Sequence, residues 1–444
     1  MLAVLAHSAY RRLFTAQVIA LVGTGLTTVA LGLLAYDLAG ADAGAVLGTA
    51  LAIKMVTYVG VAPLAGALAA RLPRKPLLIG LDLFRAAIAV SLPWVDQVWQ
   101  VYALVFLLQA ASAAFTPTFQ ATIPEILVDE RDYTRALSLS RLAYDLESLL
   151  SPLLAAAALT LVTSGTLFVG TALGFTASAL LVLAAALPAS RTAPVADRTL
   201  AATTRGVRVY LATPRLRGLL AVHLAVAAAG SVVLVNTVPY VRGPLGLGET
   251  AVAVALAAHG LGSLTAALAL PRVLDRHRDR TVMLRAGAGL AATLLIAVPA
   301  TALLDTSRWP ALLVLWALLG IGSSLVLTPG GRLLRRSAHP DHLPAVFAAD
   351  FSLSHACWLL CYPLAGWLAA ATSMSVALGV LCALTATAAV VATRCWPDDD
   401  PEALPHDHGP DCDHRHLGDA VLVGDRWRHT HTYRIDDLHT RWPA

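Results

Sequence analysis

The sequence predicts an all-α polytopic membrane protein with twelve transmembrane helices arranged as two six-helix halves. Three observations predict it. The 444 residues are 57% hydrophobic and only 14% charged, where soluble domains carry roughly 25% charged residues. Apolar runs of about 20 residues recur along most of the chain, the length that crosses about 30 Å of hydrocarbon as a helix. The runs also fall into two sets of six that repeat one another. The ten-residue alternating segments of a membrane β-barrel are absent.

In order, the apolar runs cover roughly 13–36, 45–70, 76–95, 99–122, 135–162 and 166–187, then 216–240, 249–271, 281–303, 309–328, 345–371 and 373–394. Four units follow: 1–190 as the N-terminal half, 191–214 as a polar central loop, 215–396 as the C-terminal half, and 397–444 as a tail rich in His and Asp. The halves align. Arg12-Leu13 matches Arg217-Gly218, and Arg71 to Lys75 matches Arg276 to Arg280. Thr116-Pro117 matches Thr328-Pro329, and Pro152-Leu153 matches Pro363-Leu364. Parallel six-helix repeats suit alternating access, with the halves rocking about a central site.

Loop arginines set the orientation. Arg71, Arg74, Lys75, Arg131, Arg135, Arg272, Arg276, Arg278, Arg280, Arg332, Arg335 and Arg336 all fall in one set of loops, with the central arginines. The alternate loops carry Arg242 and Arg308 against Asp37, Asp42, Asp96 and Asp305. Positive loops stay on the cytoplasmic side, so both termini and the tail are expected there. The net charge of +4 follows from these loops and implies no nucleic-acid partner. The N-terminus lacks a cleavage site at signal-peptide distance and reads as the first span. Cys357, Cys361, Cys382, Cys395 and Cys412 do not pair across external loops, so no disulfide framework is expected.

Ionisable residues at membrane depth are costly and mark function. At 1.5 Å per residue, Lys54 lies roughly 14 Å into span 2, and Asp145 and Glu147 roughly 15–18 Å into span 5. These, with Arg141 one turn before Asp145, are the candidates for proton coupling or cargo binding. The bland alternative is a static Arg141–Asp145 or Lys54–Glu147 bridge. Asp82 and Arg85, three apart, read as a structural pair within span 3. In span 11, Asp350, Ser354, Cys357 and Cys361 share one helical stripe, a possible path for a borderline metal or simply buried small residues. His355 lies off that stripe. His223 and His259 read as packing residues, and Gln17, Gln109 and Asn236 as cavity-lining or helix-bridging groups.

Seven of the fourteen histidines lie in the last 47 residues. His406, His408, Cys412, His414, His416, His429 and His431 are candidate metal ligands, suited to Ni, Co, Cu or Zn, with His439 beyond them. The spacing differs from that of a zinc finger, which uses separated ligand pairs. The tail is therefore expected to be flexible to about residue 417, holding a loose, exchanging site. The segment from Arg434 to His439 is a candidate for docking on the cytoplasmic face. No Walker-type phosphate loop is present, and no triad is recognisable, so the chain is not expected to be an enzyme or to require a cofactor.

The body, about residues 10–396, resembles the major facilitator superfamily. The loop Gly66-Ala67-Leu68-Ala69-Ala70-Arg71-Leu72-Pro73-Arg74-Lys75 is similar to that family's Gly-x-x-x-Asp-Arg-x-x-Arg-Lys signature, with Ala70 where the family has aspartate. The second half keeps the acid as Asp275-Arg276, followed by Arg280. The resemblance implies that this acid helps lock the cytoplasmic gate. The stretch Phe115-Thr116-Pro117-Thr118-Phe119-Gln120-Ala121-Thr122-Ile123-Pro124 is similar to the exporter branch that includes siderophore exporters, and the body plus a His-rich tail resembles bacterial nickel-resistance exporters. The resemblance implies a monomeric, proton-coupled antiporter in the bacterial inner membrane that expels nickel, or cobalt, and confers metal resistance. The alternative is an exporter of a siderophore, drug or other small organic compound with an incidental or regulatory tail.

Overall fold

The computed structural model describes residues 2–61, 72–127, scattered positions between 129 and 159, 160–187, 198–303, 308–338, 343–400, 403–408, 420–435, 439 and 442. In the first half, α1 runs Ser8–Ala39, α2 Ala43–Val56, α3 Arg74–Ser91, α4 Val98–Ile126 and α5 Ser164–Ala184. Helical positions recur between 132 and 159, including Ala143, Glu147 and Ser151, where the fifth span is expected. A linker helix, α6, covers Arg198–Ala212. The second half contains α7 (Pro214–Ser231), α8 (Thr237–Arg242), α9 (Glu249–Leu274), α10 (Asp279–Leu303), α11 (Arg308–Ser337), α12 (Leu343–Ala371) and α13 (Met374–Cys395).

Proline marks the helix starts. Pro73 precedes α3 and Pro214 opens α7, where the missing N–H would have no intrahelical partner. Pro271, Pro299, Pro329 and Pro363 sit inside helices, which membrane bundles tolerate because neighbouring helices re-satisfy the freed carbonyls. Two helices contain π-turns, at Thr57–Val61 after α2 and at Val232–Asn236 between α7 and α8. Such turns widen a helix and often lie at functional positions. The first carries Tyr58 and the second Asn236, and Asn236 Nδ2 donates to the Ala365 carbonyl at 3.1 Å.

The outer surface is apolar. Leu173, Leu268 and Leu295 are each at least 65% exposed, and ten stretches of the described residues are long and apolar enough to span a membrane. A soluble monomer would not present so much contiguous apolar area. Inside, α1 packs on α5, α9 on α11, and α10 on α13. Asp82 and Arg85 form a buried ion pair, Ser178 Oγ donates to Asp82 Oδ2 at 2.7 Å, and the Arg85 guanidinium lies over the rings of Phe115 and Phe175. This pair ties α3, α4 and α5 together.

The halves meet at the ends remote from the basic loops. There α2 packs on α12, and Trp367 Nε1 donates to Thr49 Oγ1 at 3.1 Å. Arg242 lies over the Tyr36 ring at 5.2 Å. A Cβ on Gly48 would come within 2.5 Å of the Tyr362 carbonyl oxygen. The two backbones can approach this closely because glycine has no side chain there, as at other small-residue helix contacts in membranes.

The tail departs from its expected flexibility. Residues Ala403–His408 form β1, Val421–Val423 form β2 and Arg426–Thr432 form β3, in one antiparallel sheet of order β1-β3-β2. The hairpin joining β2 to β3 turns at Gly424-Asp425, with Gly424 at φ +67°, a conformation glycine adopts without steric penalty. A two-residue Gly-Asp turn between Val421-Leu422-Val423 and Arg426-Trp427-Arg428 is a hairpin signal. Tail composition, dominated by Asp, Pro and His, obscured it.

Candidate metal centre and intramembrane charges

The two His-x-His pairs are placed by the strand period. Side chains two apart share a face of a strand. Leu404, His406 and His408 of β1 therefore point to one side while Ala403, Pro405 and Asp407 are exposed. On β3, Trp427, His429 and His431 take the inner face. The register pairs His406 directly with His429, and Asp407 with Arg428. On the outer face Arg428 makes a two-point contact with Asp407, Nε to Oδ1 at 2.7 Å and Nη2 to Oδ2 at 3.0 Å. Those hydrogen bonds hold the Asp407 carboxyl below its ordinary value and push Arg428 up.

Five imidazoles converge on the inner face. His406 Nε2 lies 3.1 Å from His429 Nε2 and 3.1 Å from His439 Nε2. Its ring centroid is 4.8 Å from that of His408 and 4.7 Å from that of His431. Two triads share it, His406 with His429 and His431, and His406 with His408 and His439, each with ligand atoms within 4.8 Å of one another. His429 and His439 are buried. Tyr433 packs against His406 at 4.8 Å and Trp442 against Tyr433 at 5.3 Å. The strands set these imidazoles at fixed separations, a donor set of the kind that borderline divalent ions take. Cys412, His414 and His416 lie outside the described residues.

The sheet is attached to the bundle beside the basic loops. Trp396, fully buried, ends α13, and its carbonyl accepts from Arg280 Nε at 3.1 Å. Arg280 also pairs with Asp398 at 2.6 Å. Asp400 binds both Arg336, at the end of α11, and Arg215, at the start of α7, the latter at 3.2 Å. Among the described residues Asp400 is the non-glycine residue with positive φ, +33°, a backbone setting uncommon outside Gly, Asn and Asp. Ile435 is buried in the core cluster that also holds residues of α7 and α11; Asp436, Asp437 and Leu438 of the predicted docking segment lie outside the described residues.

Of the gate-loop residues, Gly66 and Arg71 lie outside the described residues. Arg74 pairs with Glu125 of α4 at 2.6 Å, and Lys75 Nζ donates to the Ala185 carbonyl at 2.8 Å. In the second half Asp275 and Arg276 are exposed. The acid that ties this loop to α11 is Asp279, buried and paired with Arg332. Sequence reasoning passed over it because it sits four residues beyond the motif position, one helical turn further on, where α10 begins.

Inside the membrane, Lys54 and Glu147 lie within electrostatic reach of one another. Ser151 Oγ donates to Glu147 Oε1 at 3.0 Å, and Lys54 Nζ lies 5.8 Å from the centre of the Tyr58 ring. Asp145 and Arg141 lie outside the described residues. Across the half interface, Tyr58 meets Phe351 and His355 of α12, at 6.2 and 5.7 Å between ring centres. Asp350, five residues before His355 on the same helix, accepts from the Tyr210 hydroxyl at 2.9 Å and lies 3.6 Å from His223 Nδ1. His223, read from sequence as a packing residue, thus joins Asp350 and Tyr210 in one cluster. The stripe places Cys357 toward it, while Cys361 is fully buried. Cys357, Cys361, Cys382 and Cys395 are free thiols. Gln17 accepts from Ser140 Oγ at 3.0 Å.

Solved structures share this architecture. A bacterial homologue of the human lysosomal transporter Spinster, in an inward-facing unoccupied conformation, superposes with a TM-score of 0.65 at 14% identity, over 88% of this chain and 97% of that one. A D-xylose–proton symporter gives 0.64 at 14% identity, over 88% and 98%. A bacterial metal transporter gives 0.60 at 14% identity, over 87% and 98%. At these identities the likeness is one of fold. No curated protein matches the sequence. The Major Facilitator Superfamily model matches residues 13–239 and again 219–434. Two matching six-helix halves with an apolar outer surface identify a multi-pass membrane protein, a secondary transporter belonging to the Major Facilitator Superfamily.

Proposed function

We propose that this transporter is a proton-coupled exporter of a divalent metal, nickel first and cobalt second, that confers metal resistance. The observation that carries the reading is the convergence of His406, His408, His429, His431 and His439 on one sheet face, fastened beside the basic loops. Those loops favour the cytoplasmic side; in this reading the imidazoles and both termini lie at the inner mouth, in the bacterial inner membrane. Among the described residues the halves touch at the opposite ends, through Thr49 with Trp367 and Tyr36 with Arg242.

In this reading metal enters from the tail side and passes Asp350, His223, His355 and Cys357 at the half interface. Carboxylate, imidazole and thiol are ligands for borderline ions. Glu147 and Lys54, with Asp145 and Arg141 on the same span 5, supply the coupling. A carboxylate facing a lysine exchanges an ion pair for a bound proton as the halves rock, and charge buried without either is costly. Proton entry then drives the return of the empty carrier.

The test is cellular metal content by mass spectrometry, in cells lacking their own exporters. They would express the wild type or Asp145→Asn/Glu147→Gln, with nickel, cobalt, copper and zinc supplied separately. Lower nickel or cobalt with the wild type, returning to control levels with the variant, is the expected result. No change for any metal, with the protein present in the membrane, would overturn metal export and favour an organic cargo.

A further inference from the structure

The five imidazoles hold more than a ligand inventory. His406 Nδ1 lies 3.0 Å from the Leu404 carbonyl. A carbonyl only accepts, so Nδ1 carries the proton and Nε2 presents its lone pair to the cluster. Metal-binding histidines are oriented in this way, the other ring nitrogen donating to a carbonyl or carboxylate. The spacing also fits. Ligands at 2.0–2.1 Å from a first-row ion lie about 2.9 Å apart at right angles and about 3.3 Å apart in a tetrahedron. The two Nε2 separations around His406 are both 3.1 Å.

His439 stands apart from the other four. It lies outside the sheet, on the terminal segment that also carries Trp442. Trp442 packs on Tyr433 and faces the Arg215 guanidinium at 5.1 Å. Arg215 is buried and pairs with Asp400, only three residues before β1 begins. The cluster therefore joins the two ends of the tail, and both ends converge on Arg215.

We propose that this cluster is a resident regulatory site for a first-row divalent ion, separate from the cargo path, and that ligation through His439 clamps the tail onto Arg215, Arg280 and Arg336. The proposal rests on the export reading for the kind of ion it takes, not for the clamp. Those arginines sit at the basic ends of α7, α10 and α11. A clamped tail restrains these ends relative to one another, so cytoplasmic metal reports directly on the C-terminal half. An ion that binds only the assembled cluster suppresses tail opening by 1 + [M]/Kd, about 100-fold at 100 times Kd. Linkage is reciprocal, so weakening the Asp400 contacts weakens metal affinity by the factor through which metal strengthens docking.

The experiment uses the purified full-length protein in lipid nanodiscs with nickel chloride as the probe. Bound nickel is measured by equilibrium dialysis, and hydrogen exchange is followed by mass spectrometry over 396–408, 426–435 and the N-terminal turn of α7. The wild type is expected to bind nickel and to slow exchange in all three segments by about 100-fold at 100 times Kd. His406→Ala loses both effects. His439→Ala, which leaves the sheet strands untouched, keeps slow exchange within the sheet and loses the nickel response at α7. Asp400→Asn binds nickel more weakly, by the same factor as its loss of protection. Nickel bound equally by wild type and His406→Ala would overturn the site. Nickel bound without any slowing at α7 would overturn the clamp. Both readouts are independent of transport, so a chain that clamps yet leaves cellular metal unchanged would sink the export reading alone.

Discussion

Gly48 lies against the carbonyl of Tyr362, so close that a Cβ would stand 2.5 Å from that oxygen. The atom met is backbone, which cannot move aside without shifting α12. Gly48→Val is therefore expected to open the contact between the halves. Overpacking costs about 1–3 kcal/mol, which moves a two-state equilibrium about 5- to 150-fold. Hydrogen exchange over 43–56 and 361–367 should speed up accordingly, and gradient-driven transport should fall. Unchanged exchange would mean that the contact does not limit the closed state.

Glu147 lies within electrostatic reach of Lys54 and accepts from Ser151. If it couples protons to cargo, Glu147→Gln in proteoliposomes should abolish accumulation driven by a pH gradient while preserving cargo exchange at equal concentrations. Lys54→Met should lower the folded yield, because it leaves the carboxylate without its facing cation. Lys54→Met/Glu147→Gln should recover that yield without recovering accumulation. Gradient-driven uptake surviving in Glu147→Gln would remove this residue from the coupling path.

The Asp82–Arg85 pair is a different case, since it holds three helices and faces no cavity described above. Removing one partner of a buried pair costs about 3–5 kcal/mol. Asp82→Asn should show that loss as a lower midpoint in thermal unfolding, with any surviving protein transporting normally. Replacing both charges, Asp82→Leu/Arg85→Met, should restore much of the midpoint, because no unpaired charge is left behind. A double variant no more stable than the single would contradict this account.

Gly424 sets the hairpin that pairs β2 with β3, the strand that carries His429 and His431. Its φ of +67° costs a side-chain-bearing residue roughly 1–2 kcal/mol. Gly424→Val touches no ligand, yet should weaken nickel binding about 5- to 30-fold. Dialysis of the full chain against nickel chloride would measure it, and an unaltered affinity would show that the imidazoles assemble without the hairpin.

The hydrophobic runs, the loop arginines and the internal repeat made the twelve-helix body legible in the sequence, because lipid imposes a length and a charge rule on every span separately. Each of those rules is local, so a single chain suffices to read them. The intramembrane charges were legible for the same reason: Lys54 and Glu147 stand out wherever the surroundings are apolar. A Lys54–Glu147 pairing could be offered from sequence but not decided, since it depends on how two helices distant in sequence rotate and pack. The same holds for His223, which looks like a packing residue on its own helix and gains a partner only when α7 meets α12 beside Asp350. In the tail, composition announced candidate metal ligands, but the strand period and the pairing of β1 with β3 decided which ones meet. His406 opposes His429 because β1 pairs antiparallel with β3 in that register, and His439 completes the cluster where its ring packs against Tyr433. The kinds of residue were written in the chain. Their convergence was decided by packing, which brings together groups whose separation in sequence carries no information about their distance in space.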